Sequence, residues 1–157
     1  MVEPVRTILC PADLSENSLM ALEYAAYFAR QHHAKLYVLY VLPTEEVSLP
    51  SELYRRDEKS GGADLGWAEK VAREKVQEMA HHCLNEGICY HILVRSGDPA
   101  TGILAAAESI AAGMIVMVTH GRTGLAHVFM GSVAERVVRE SLCPVLLIRG
   151  RGREGRR

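Results

Sequence analysis

At 157 residues, 48% hydrophobic and 24% charged, the chain can close one good core and has the balance of an ordinary globular protein. The formal net charge of -1 is unevenly placed: residues 149–157 carry five arginines against Glu154, a local +4, which leaves -5 on residues 1–148. An acidic body with a short basic end argues against nucleic acid as a partner, and no apolar run approaches the ~20 residues that span a bilayer.

Val5 to Cys10 is a short β-type run. Ser15 to His33 follows with Leu19, Leu22, Ala26 and Ala29 at helical spacing. Ser15 is the expected N-cap, and Asp13 with Glu16 adds a capping-box-like spacing. Leu36 to Leu42 is continuously apolar, as a strand covered on both faces requires. Pro43 to about Gly62 is polar and reads as a long loop. Trp67 to Asn85 places Ala68, Ala72, Val76, Met79 and Cys83 on one helical face, with Gly87 as the stop. Ile88 to Val94 is the third strand. Asp98-Pro99 then opens a helix whose buried face is Ile103, Leu104, Ala107, Ile110 and Ala111, and Gly113 is expected to end it. Met114 to Val118 is the fourth strand, Ser132 to Ser141 the last helix, and Pro144 to Ile148 the fifth strand. The tail 150–157 has nothing to bury and is expected to be disordered, leaving one domain over residues 1–149.

Strand and helix alternate throughout, which predicts a doubly wound α/β fold: a parallel sheet with helices on both faces. Ligands of such sheets lie beyond the carboxyl ends of the strands, where the winding reverses. The loops after the first and fourth strands flank that point, with Pro11-Ala12-Asp13 in one and Thr119 to Gly131 in the other. A strand, a glycine-containing loop and a helix start form an anion site: orphan backbone amides, a favourable dipole, and glycine to let a phosphate approach. Gly121, Gly131 and Ser132 are its expected centre. Ser132 with Glu135 also matches a capping box. Arg122 and His127 share the loop and offer charge for phosphates.

Other motifs carry less. Ser60-Gly61-Gly62-Ala63-Asp64 looks like a pyrophosphatase loop, but no strand precedes it. His32-His33 and His81-His82 are adjacent rather than i, i+4, so they read as surface histidines instead of metal ligands. Glu108 and His120 come with no nucleophile-and-base constellation, and neither G-x-G-x-x-G nor G-x-x-x-x-G-K occurs. Cys10, Cys83, Cys89 and Cys143 form no C-x-x-C pair, and no signal peptide is visible; a reduced, cytoplasmic setting is expected.

Four segments together resemble the universal stress protein family. They are Ile8-Leu9-Cys10-Pro11-Ala12-Asp13-Leu14-Ser15, Leu39-Tyr40-Val41, Thr119-His120-Gly121-Arg122-Thr123-Gly124-Leu125, and Met130 to Glu135 through Cys143 to Ile148. The resemblance spans residues 5–148. It implies a Rossmann-like, adenine nucleotide α-hydrolase-like sheet of five strands in order 3-2-1-4-5, and commonly a homodimer. Part of the family binds ATP through Gly-x2-Gly-x9-Gly-Ser/Thr, whose second glycine maps to Gly121 and whose last pair maps to Gly131 and Ser132. By the same resemblance Asp13 lies by the adenosine, Val41 meets adenine through its backbone, and Gly131, Ser132 and Val133 hold phosphates; Pro11, Ala12, Met117, Val118, Gly121 and Arg122 complete the expected nucleotide site, with Mg as the accompanying ion. The motif's first glycine falls on Val118, and the family's usual Asp before the fourth strand is replaced by Gly113. If the first position needs positive φ, valine costs on the order of 1–2 kcal/mol there; if glycine only leaves room for ribose, a small shift accommodates it. Two functions follow. One is an ATP-binding regulatory module with at most weak hydrolysis. The other is a dimeric interaction protein without nucleotide, paired through Val145 to Ile148, whose apolar edge needs a partner.

Overall fold

The computed structural model describes residues 4–45, 49–84, 87–120 and 130–150. The chain order is β1 (Thr7–Pro11), α1 (Glu16–His32), β2 (Lys35–Leu42), a 3-10 turn (Ser51–Leu53), α2 (Leu65–Cys83), β3 (Tyr90–Ser96), α3 (Pro99–Ser109), β4 (Met114–Val118), α4 (Ser132–Glu140) and β5 (Val145–Ile148). The five strands form one sheet in order β3-β2-β1-β4-β5, every pair parallel.

The alternation of side chains along each strand explains the two layers of helices. Ile8, Cys10, Leu36, Val38, Tyr40 and Leu42 face one core with the alanine-rich sides of α1 and α2. Leu9, Leu39, Ile115 and Met117 face the other, against Ala100, Ile103 and Ala106 of α3 and Ala134 and Val137 of α4. The small residues let the helices lie close to the sheet. Both faces of β1 and β2 are therefore sealed, as the unbroken apolar run of β2 requires. No helix among the described residues is long and apolar enough to cross a membrane.

The expected caps hold at two helices. Ser15 accepts from the Ser18 amide at 3.3 Å, and Asp98 from the Thr101 amide at 2.9 Å, with Pro99 next in line. Three local expectations are corrected. First, α3 stops at Ser109, and Ala111, not glycine, takes the left-handed turn at φ 48°. Gly113 serves a close approach instead: its amide donates to the Thr7 carbonyl at 2.9 Å, and a β-carbon would come 3.3 Å from Val5 Cα. Second, α2 already ends at Cys83, and Gly87, at φ 100°, belongs to the turn into β3, which starts at Tyr90. Third, the segment after β2 is not featureless. Its 3-10 turn buries Leu53 completely, and Arg56 bridges Ala63 before Asp64 caps α2. The Ser60–Asp64 stretch is thus a turn leading into a helix, not a strand-borne catalytic loop.

Candidate functional site

β1 pairs with β4 only at Ile8–Met114 and Leu9–Ile115, whereas its pairing with β2 runs on to Pro11–Leu39. Beyond Leu9, β1 parts from β4; β1 ends at Pro11 and leads to α1 on one face, and β4 leads to α4 on the other. The carboxyl ends diverge there, and a cleft of about 650 Å3 opens between them. Its volume falls within the range of small-molecule sites, roughly 300–1,000 Å3.

Of the residues expected there, Pro11, Ala12, Asp13, Val41, Met117, Val118, Gly131, Ser132 and Val133 all line the cleft. Gly121, Arg122 and His127 lie outside the described residues. The cleft also draws on residues that the sequence reading passed over. Leu49 and Pro50 come from the loop after β2, Pro99 and Ile103 from α3, and Ser18 from the first turn of α1. Pro50 was visible as a stiff residue just beyond a strand's carboxyl end. The α3 wall was not, because it depends on how closely that helix meets β2. Gly102 permits that approach, since a β-carbon there would come 2.9 Å from Val41 Cγ2.

Asp13 is held by the start of α1. Its Oδ1 accepts from the Ser15 amide at 3.1 Å, the Ser15 hydroxyl at 2.5 Å and the Ser18 hydroxyl at 2.6 Å. The Asp13 amide in turn donates to Ser18 Oγ at 2.9 Å. This network is reached through Leu14 at φ 65°, a left-handed conformation that a leucine adopts only under constraint from its surroundings. One carboxylate oxygen is thus committed to fixing the group at the rim.

At the opposite wall the capping-box expectation for Ser132 is corrected. Gly131 is the N-cap, extended at φ -69° and ψ 155°, and no side chain among the described residues caps α4. The cause is the tie from the Gly131 amide to the Thr119 carbonyl at 2.7 Å, which fixes where the chain can turn into the helix. A β-carbon on Gly131 would come 3.2 Å from that same carbonyl oxygen. Ser132 becomes the first helical residue, and Glu135 points to Arg139 at 3.6 Å rather than back to the cap. The first intrahelical bond runs from the Glu135 amide to the Gly131 carbonyl, so the amides of residues 132–134 have no intrahelical partner. An uncapped helix start that lines a cleft presents partial positive charge to whatever enters.

Val118 belongs to β4, pairs with Ile148, is 8% exposed and has no positive φ. The conformational penalty considered for valine here does not arise, and only the space its methyls take is at issue. Among the described lining residues Asp13 is the one charged side chain. Burial pushes the Cys10 thiol up to about 12, with Cys83 adding to the rise, so Cys10 packs rather than reacts. No group of three or more His, Cys, Asp or Glu among the described residues gathers to hold a metal, and His82 donates instead to the Glu78 carbonyl at 2.9 Å.

This architecture has counterparts. A Methanocaldococcus jannaschii structure matches with a TM-score of 0.74 at 24% identity, covering 95% of this chain and 99% of that one. A universal stress protein solved in complex with cAMP matches at 0.62 and 18% identity, covering 95% and 100%. One from Archaeoglobus fulgidus in complex with dAMP matches at 0.51 and 21%, covering 94% and 99%. At these identities the likeness is one of fold. In sequence, a universal stress protein of Methanocaldococcus jannaschii is 36% identical over 149 residues, which cover 92% of this chain and 82% of the relative. With the sequence pattern of the universal stress protein family matching residues 4–149, the chain belongs to that family.

Proposed function

We propose that the cleft holds an adenine nucleotide, ATP with Mg, as a regulatory ligand with little or no turnover, in the cytoplasm. The observation that carries the reading is the start of α4 at Gly131, which no described side chain caps and whose first three amides have no partner inside the helix, a setting that favours phosphate oxygens. Apolar Leu39, Val41, Pro99 and Ile103 suit a flat base, and Asp13 suits ribose hydroxyls. Two solved relatives of the same fold hold cAMP and dAMP, both adenine nucleotides. Turnover is expected to be slow, because among the described lining residues no side chain is positioned to activate a water, and Oδ1 of Asp13 is engaged by Ser15 and Ser18. Isothermal titration with Mg-ATP is expected to give binding heat and a thermal upshift. Neither at millimolar ATP ends the reading.

A second reading has its own observation. Val118 puts a branched side chain into the cleft where the ATP-binding pattern has glycine. The chain then acts as a dimeric interaction protein through the β5 edge, without nucleotide. Denaturing freshly purified protein and assaying the supernatant for adenine nucleotide separates the two.

A further inference from the structure

The described lining of the cleft has no cation, although a nucleoside triphosphate carries several negative charges. Among the described residues, Arg136 is tied to the cleft's α3 wall. Arg136 lies four residues after Ser132 and three after Val133, so it shares their face of α4. Residues three and four apart on a helix are neighbours, so Arg136 stands one turn beyond the residues that open the cleft. Arg136 Nη1 donates to Asp98 Oδ2 at 2.7 Å, and Asp98 immediately precedes Pro99 of the cleft's α3 wall. Its Nε donates to Glu140 at 3.3 Å.

We propose that Arg136 is a polyphosphate-sensing residue of this cleft: it rests on Asp98 and transfers to the distal phosphates of a bound nucleoside di- or triphosphate. The inference rests on the nucleotide reading above. The exchange is cheap on the Asp98 side, because Oδ2 also accepts from the Thr101 amide at 2.9 Å and the Thr101 hydroxyl at 2.7 Å. Those two bonds are the main reason the Asp98 carboxyl titrates below its usual range, with Arg136 contributing less. Asp98 therefore keeps its charge and its capping bonds when the arginine leaves. The pair itself is exposed, 39% at Arg136 and 56% at Asp98, and exposed ion pairs contribute little. A guanidinium facing phosphates forms shorter, stronger bonds than one facing a hydrated carboxylate that has other donors.

The test is titration of the wild type, Arg136→Gln and Asp98→Asn with Mg-ATP and with AMP, each at two salt concentrations. Arg136→Gln is expected to weaken ATP about fivefold and leave AMP unchanged, with a shallower salt dependence for ATP. Asp98→Asn, which retains a capping side chain, is expected to tighten ATP and leave AMP unchanged. A merely structural ion pair moves both nucleotides together, and that result overturns the proposal. So does an unchanged ATP affinity in Arg136→Gln. If the wild type binds neither nucleotide, the cleft reading itself fails, which is a different outcome from loss of the ATP-over-AMP preference.

Discussion

Gly131 and Val118 both shape the cleft, on the side where β4 leads to α4. At Gly131 the backbone is extended, so alanine suffers no dihedral strain, and the penalty is contact alone. Gly131→Ala should push the start of α4 off the Thr119 carbonyl by a few tenths of an ångström and cost about 1 kcal/mol in urea unfolding. Its effect on nucleotide affinity should be larger than its effect on stability, because the displaced group is the amide cradle. Equal ATP affinity in the variant would mean that the phosphates sit elsewhere. At Val118 the trade runs the other way. Val118→Ala removes methyls that pack into the core and should cost about 1–2 kcal/mol, seen as a lower urea midpoint with an unchanged slope. It also enlarges the cleft, so ATP should bind more tightly to the folded protein. Stability lost with no gain in affinity would show that the valine does not crowd the ligand.

Among the elements, α3 shows how a charged cap ties stability to pH. The Thr101 hydroxyl and amide, and then Arg136, hold the Asp98 carboxyl below its ordinary value of 3.8. A lowered carboxyl stabilises the fold at pH values above the unfolded one, and that contribution disappears as the pH falls through the folded one. Asp98→Ala should therefore cost about 1 kcal/mol at neutral pH, a typical N-cap value. The difference from wild type should shrink once the pH drops below the usual aspartate range. A gap that persists in acid would assign it to packing rather than to the ionised cap. The same helix marks the border of what a linear reading reaches. Its cap, its proline and its buried alanines follow from local rules, because each signal lies within a few residues. Its end does not: Ala111 adopts the left-handed turn, and Gly113, the obvious stop, is needed for a contact with β1 more than a hundred residues earlier. The sheet order and the two helix layers followed from alternating periodicities and the family resemblance. The cleft's β1 and β4 walls were legible because they flank the switch point. The Pro99, Ile103 and Leu49 wall was not, because it arises from packing between elements distant in sequence. Ser132 misled for a related reason: the capping-box spacing is local, but a long-range bond to Thr119 moved the cap to Gly131.

At the scale of the whole molecule, the sheet has two edges that differ in chemistry. β3 exposes His91, Arg95 and Ser96, and charged or polar groups on an edge strand discourage pairing. β5 is Val-Leu-Leu-Ile, pairs on one side with β4, and follows Leu142, which is 96% exposed. An apolar strand with an unpaired side beside an exposed leucine is suited to a second copy of itself, related by a two-fold axis. A lysine at Leu147 would test this poorly, because Leu147 packs against the α3 and α4 core and a charge there would also cost stability. Leu142 has almost no contact to lose within the chain. Leu142→Glu should therefore leave the stability of the isolated protomer within about 0.5 kcal/mol of wild type, as exposed positions generally do. If β5 is the interface, the same change places an uncompensated charge in an apolar seam, and sedimentation should show the dimer falling apart at micromolar concentration. A variant that sediments as wild type would move the interface off this edge. It would also remove the main support for an assembly role independent of nucleotide.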